Sequence, residues 1–234
     1  MTGATESGPR FLVVNADDFG ASTGVNRGII DAHTTGVVTS TSLMVTGPAV
    51  AEAVALSHGH PDLSIGLHWD VVGEDERQFD TYDPDAVRAE FRAQLERFED
   101  LLQRQPTHVD SHRHTHRQSH LRPVFRRLVE PLGIPLRDDG RVQFVGDFYA
   151  QWEWQVTELD KVSVDAFIDL LRRRVPPGWT EFSCHPGYRS DDYTAVYLDE
   201  REAEVRTLVD VRVRQAIDDE GVRLVSYADF PDGP

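Results

Sequence analysis

The chain has one cysteine, Cys184, and one lysine, Lys161, among its 234 residues. A single thiol excludes an internal disulfide and the Cys-rich zinc patterns, and a reducing compartment fits that usage. Basic residues are few against acidic ones, 24 to 40, giving a formal net charge of −16. That balance argues against nucleic acid or an anionic membrane as partner and favours a neutral or cationic small molecule. No apolar run approaches the ~20 residues needed to cross a bilayer. The segment Met1 to Pro9 has neither the basic start nor the apolar stretch of a signal peptide, so a cytoplasmic location is expected. Linkers and internal repeats are also missing. The expectation is a flexible tail over 1–10 and a single catalytic domain over 11–234. No residue pattern specifies an oligomeric state, and a homodimer is the default expectation.

What the chain does have is a series of short apolar runs that end in polar, chemistry-bearing residues. Phe11 to Val14 leads into Asn15-Ala16-Asp17-Asp18-Phe19-Gly20, Leu63 to Leu67 into His68, and Val109 into Asp110. These runs read as strands, with others over Val37 to Val45, Leu136 to Arg137, Thr180 to His185 and Val222 to Val225. Amphipathic stretches lie between them. Ser22 caps one, Pro48 opens another, Pro84 to Gln103 is the longest, and three more cover His120 to Glu130, Val164 to Arg174 and Asp199 to Glu220. Alternating strand and helix implies a mainly parallel α/β sheet. About seven parallel strands in one domain suggest a distorted, closed or nearly closed (β/α) barrel, although an open doubly wound sheet has the same local pattern. In both architectures ligands sit at the carboxyl ends of the strands. Asp17, Asp18, His68, Asp110, His112 and His185 all fall there.

Adjacent Asp17 and Asp18 disfavour joint ionisation unless a cation or hydrogen bonds compensate, which makes a divalent metal the economical explanation. The plainer reading is that the pair caps the following helix. In an extended segment His112, His114 and His116 would share one face, and one or two of them would be ligands. His185, before the rigid turn Pro186-Gly187, could equally be an ordinary loop histidine. Cys184 reads as a small buried hydrophobe rather than a nucleophile. Trp152 and Trp154 read equally well as core or as a face that stacks on a sugar.

Asn15 to Gly20, Gly66-Leu67-His68, Thr107 to His116 and Cys184-His185-Pro186-Gly187-Tyr188 together resemble the four signature segments of the YdjC-type carbohydrate deacetylases, in the same order and over nearly the whole chain. That family includes chitooligosaccharide and hopanoid-associated deacetylases. The resemblance implies a distorted (β/α) barrel and removal of an acetyl group from an N-acetylated sugar. By motif, Asp18, His68 and His112 would bind one divalent ion, Asp17 would be the base and His185 the acid. Trp69, His114, His116 and Tyr188, which flank those positions, are the expected substrate contacts.

Amide hydrolysis needs a nucleophilic water, a stabilised oxyanion and a protonated amine leaving group, and this residue set could supply all three. Arg137 could orient Asp17, sit near the oxyanion or form a surface salt bridge. Carboxylate and imidazole ligation suits Zn2+ or another transition ion, whereas the family resemblance points to Mg2+. The sequence departs from the family after His68, where Trp69 to Glu76 is acidic and the following loop is short, so the substrate's identity is not carried over. Two other readings compete: a metal-dependent phosphoesterase on a related barrel, disfavoured by acidic or neutral segments around the site, and a non-catalytic sugar-binding relative, disfavoured by the intact base and acid.

Overall fold

Strand β1 (Arg10–Phe19) is the spine of the fold, and Leu12, Val13, Val14 and Ala16 are all fully buried along it. Burial on both faces is what a parallel strand covered by helices requires. The computed structural model describes residues 8–73 and 78–231. Parallel strands flank β1 on both sides: β2 (Ser40–Leu43), β3 (Ser64–Trp69) and β4 (Val109–Ser111) on one, β6 (Gly178–Cys184) and β5 (Gln143–Val145) on the other. A short β7 (Val222–Leu224) pairs with the first residues of β1. Beyond β4, Val109 forms one parallel bridge with Leu136. The seven strands thus make a distorted, nearly closed (β/α) barrel, as expected. Arg10, assigned to the tail by sequence, is the first residue of β1, and residues 1–7 lie outside the described part.

Helices α1 (Thr23–Thr34), α2 (Val50–His58), α3 (Pro84–Leu102), α4 (Arg122–Val129) and α5 (Val164–Arg174) pack outside the sheet. Ser22 caps α1 by accepting from the Val25 N–H, and Asp83 caps α3 ahead of Pro84. Val87, Phe91 and Phe98 bury one stripe of α3. Burying side chains of this size contributes roughly 1.5–3 kcal/mol each.

Three local expectations are corrected. The strand expected at Leu136–Arg137 is only the Leu136 bridge, and the strand lies at β5 instead. The long final helix is two, α6 (Asp199–Leu208) and α7 (Val211–Asp219), because Asp210 turns extended and its side chain caps the Arg212 N–H. His112–Arg117 is a 3-10 turn, not an extended segment, with Arg113 and His114 in the left-handed region. The Ser111 hydroxyl closes it by accepting from the His116 N–H at 2.9 Å. The three histidines therefore do not share one face.

Candidate active site

In a regular strand Asp17 and Asp18 would point to opposite faces. Here the β1–β2 register shifts between Ala16 and Phe19, and Asp18 adopts φ 72°. Asp is among the few side chains that enter this region readily. The bulge turns Asp18 towards the cleft at the strand ends while Asp17 stays beside it.

The next two strands complete the cluster. His68, at the end of β3, points Nε2 at Asp18 Oδ1 (3.2 Å), and its Nδ1 meets Asp110 Oδ1 at 2.6 Å. His112, just past β4, brings Nδ1 to 3.1 Å from the same Asp18 oxygen. Gly66 makes room for this wall: a Cβ there would lie 2.4 Å from the buried His108 ring. Ligand atoms of Asp18, His68 and His112 all lie within 4.8 Å of one another. Asp110 fixes the His68 tautomer so that Nε2 faces the cluster, the usual arrangement behind a metal-bound histidine. The alternative group Asp17, His68 and Asp110 is less suited, since Arg137 engages both of its carboxylates.

Charge supports the same conclusion. Four buried carboxylates, Asp17, Asp18, Asp110 and Glu181, face two buried guanidinium groups, Arg137 and Arg201. Burial alone would raise Asp18, but Arg201 and the bonds from His112 and His68 hold it well below the usual carboxylate range. Burial likewise opposes His68 protonation, but Asp110 and Asp18 outweigh it and raise its pKa well above the ordinary value. A cluster that draws protons onto a buried imidazole is short of positive charge, and the donor set fits a divalent ion.

Arg137 is buried beneath the site and does not line the cleft, which rules out the oxyanion and surface roles. Its Nη1 and Nη2 donate to the two oxygens of Asp17 at 2.7 and 2.6 Å, and its Nε donates to Glu181 at 2.9 Å. Arg137 thereby holds the carboxylates of Asp17 and Glu181 in place. His116 is 1% exposed, with Nδ1 2.7 Å from Ser111 Oγ and Nε2 3.2 Å from the Arg137 carbonyl, so it supports Arg137 and does not reach the cleft.

His185 follows β6 and faces the cluster from the other side, Nε2 3.9 Å from Asp17 Oδ2 and Nδ1 4.0 Å from Glu204 Oε1. The loop that carries it lies against α1, where a Cβ at Gly28 would come within 2.5 Å of Gly187 Cα. Burial lowers the His185 pKa to about 4. Glu204, on α6, accepts from the His185 backbone N–H and from the Tyr197 hydroxyl, and burial pushes its carboxyl up from 4.5 to about 8. A carboxyl raised in the folded state stabilises the fold below about 4.5, and that contribution is lost as pH rises towards 8. Glu204→Gln should therefore flatten the fall in melting temperature of the metal-free protein over that window; an unchanged slope would contradict this. Cys184 is buried, donates to the Asn15 carbonyl at 3.3 Å and has its thiol pKa pushed well up, which excludes a nucleophilic role.

A cleft of about 1040 Å³ opens over the cluster. Of the expected substrate contacts, only His114 lines it. Trp69 is fully buried edge-on against Phe79 and Phe125, because it is the last residue of β3 and points to the core. Tyr188 lies over α1, its hydroxyl donating to Asp31 at 2.9 Å and Arg27 above its ring. Trp152 and Trp154, by contrast, are 60% and 70% exposed on the cleft rim. Asp70 is buried and caps its own loop through the Val72 and Gly73 N–H groups, so part of the acidic stretch after His68 is structural; Glu74 to Glu76 lie outside the described residues. The cleft is less acidic than its sequence segments suggest, with Arg113, Arg117 and Arg174 also lining it. Sequence reasoning missed Arg201, whose Nη2 donates to Asp18 Oδ2 at 2.6 Å, along with Glu204, Tyr149 and Tyr197.

The profile of a family described as YdjC-like protein matches residues 11–219. A carbohydrate deacetylase 2 from Listeria innocua serovar 6a is 34% identical, covering 94% of this chain and 98% of its own. A chitooligosaccharide deacetylase from Klebsiella pneumoniae subsp. pneumoniae is 30% identical, covering 94% and 99%. Among solved structures, a protein from Enterococcus faecalis V583, provisionally described as a cellobiose-phosphate cleavage protein, superposes with a TM-score of 0.80 at 26% identity, over 94% of this chain and 98% of that one.

Proposed function

The chain belongs to the YdjC-like protein family, and from that premise we propose that it is a metal-dependent carbohydrate deacetylase acting on an N-acetylated sugar. The observation that carries the reading is the division of labour between two neighbouring carboxylates. Asp18 is turned into a ligand set with His68 and His112, while Arg137 holds Asp17 beside that set.

Asp18, His68 and His112 would hold the divalent ion, which when bound supplies Lewis-acid polarisation of an acyl oxygen and acidifies water. Two imidazoles suit Zn2+ or another first-row ion better than Mg2+. Asp17 accepts the proton of the attacking water, its free electron density directed by Arg137. His185 delivers a proton to the sugar nitrogen as the C–N bond breaks, releasing acetate and an amine. Because His185 rests neutral above pH of about 4, it gains that proton during turnover. Asp17, 3.9 Å from its Nε2, is the group placed to hand it over. One proton of the water thus ends on the amine, and the second is released as the acetic acid formed ionises to acetate.

A phosphoesterase is the weaker reading, because the cleft's arginines are largely committed. Arg201 is spent on Asp18, Arg117 on Asp138 and Arg174 on Asp147. The role of His185 is tested by its leaving-group dependence. His185→Ala should slow an unactivated acetamide far more than an activated aryl acetate, whose leaving group needs no proton. Equal losses on both would make His185 a substrate-positioning or structural residue.

A further inference from the structure

Two of the four tryptophans in the chain stand exposed on one small hairpin, although the apolar core holds Phe, Leu and Val side chains throughout. Trp154 sits at the tip of the turn Glu153–Val156, closed by the Val156 N–H to Glu153 carbonyl bond at 3.0 Å. The base of the hairpin is firmly held. The Glu158 N–H donates to the Ala150 carbonyl at 2.8 Å, the Ala150 N–H donates to the Tyr197 hydroxyl at 3.0 Å, and the Thr157 hydroxyl donates to the buried Glu200. Glu200 lies on α6, the helix that also sends Arg201 to Asp18 and Glu204 to the His185 loop. One helix therefore fixes both the reaction centre and the hairpin.

Aromatic contacts run from one to the other. Tyr149 stacks on Tyr197 with centroids 4.8 Å apart and rings 7° from parallel, meets the His185 ring edge-on at 5.6 Å and meets Trp152 at 5.8 Å. Trp152 is thus two ring contacts from the proposed acid. Tyr149, Trp152, Trp154 and His185 all line the same cleft as Asp18, His68 and His112, with Trp152 one ring beyond Tyr149. Indole faces suit the C–H faces of pyranoses, and the N–H edge stays wet, which accounts for exposed Trp in place of Leu or Ile.

We infer that the hairpin 151–157 is a second sugar subsite, in which Trp152 and Trp154 stack on the pyranose adjoining the one that is deacetylated, so that the substrate is at least a disaccharide. This inference rests on the deacetylase reading above. It is tested with Trp152→Ala, Trp154→Ala and the double variant, comparing acetate release from N-acetylglucosamine and from N,N′-diacetylchitobiose. The disaccharide kcat/KM should fall about tenfold for each lost stacking contact, carried by KM. The monosaccharide value should be unchanged, and Trp152→Tyr should restore part of the loss. Because both side chains are exposed, the variants should keep the wild-type melting temperature. Binding is read separately from turnover by titration calorimetry in the Asp17→Asn background, so failure of the chemistry and failure of the subsite are distinguishable. Disaccharide binding that weakens when the two tryptophan substitutions are added supports the subsite. Equal losses on both sugars, or a wild-type protein with no preference for the disaccharide in either measurement, would overturn it.

Discussion

Asp17→Asn should keep its bound divalent ion and its fold while turnover drops by about 10²–10⁴-fold, the usual consequence of losing a general base. The amide preserves the size of the side chain and one oxygen for Arg137 Nη donors, now 2.6–2.7 Å from the carboxylate, but it cannot accept the proton of water. Because Asp17 lies outside the set formed by Asp18, His68 and His112, metal content by elemental analysis should match the wild type. The neighbouring Asp18→Asn should behave differently and lose metal together with activity. If Asp17→Asn lost the ion and Asp18→Asn retained it, the two roles would have to be exchanged.

Arg137→Met should be the most destabilising single substitution in the site, by about 3–5 kcal/mol, because it leaves buried carboxylates without their counter-charge. Arg137 touches Asp17, Asp110 and Glu181 and is 1% exposed, so water cannot take its place. The deficit should depend on pH in a defined direction. Against the effect of burial, Arg137 holds Asp17 and Asp110 below the ordinary carboxylate value of 3.8. Such groups stabilise the folded state above that value, and the contribution is lost as pH falls through their folded-state pKa. In Arg137→Met those carboxylates take up protons at higher pH than in the wild type. The stability gap in denaturant titrations should therefore be largest near neutrality and narrow on acidification. A gap that stayed constant with pH would mean that lost packing, not charge, is responsible.

The strand-borne part of the site was legible because each ligand closes an apolar run, and a parallel sheet puts those run ends at one mouth. Asp17, Asp18, His68 and His185 were found this way. The α6 contributors were hidden for a physical reason: Asp199-Glu200-Arg201-Glu202-Ala203-Glu204 reads as a solvated helix face, yet Glu200, Arg201 and Glu204 are buried against the site. Charged residues give no periodic signal that separates a face turned to water from one turned to an ion cluster. Trp69 and Tyr188 were misplaced because adjacency to a ligand in sequence says nothing of direction, and strand alternation sends the neighbour of His68 into the core. The turn at His112–Arg117 is closed by side-chain bonds, Ser111 to the His116 N–H and ring and Thr115 to the His112 carbonyl, which no repeating pattern announces.

The central claim is that this site uses a divalent ion to release acetate from an N-acetylated sugar. The most direct measurement is acetate production from N-acetylglucosamine oligomers by protein stripped with a chelator and then supplied with Zn2+ or Mg2+. The account predicts no acetate from the stripped protein and recovery when one equivalent of ion is restored. Undiminished acetate release without metal, or none with any divalent ion, would contradict it.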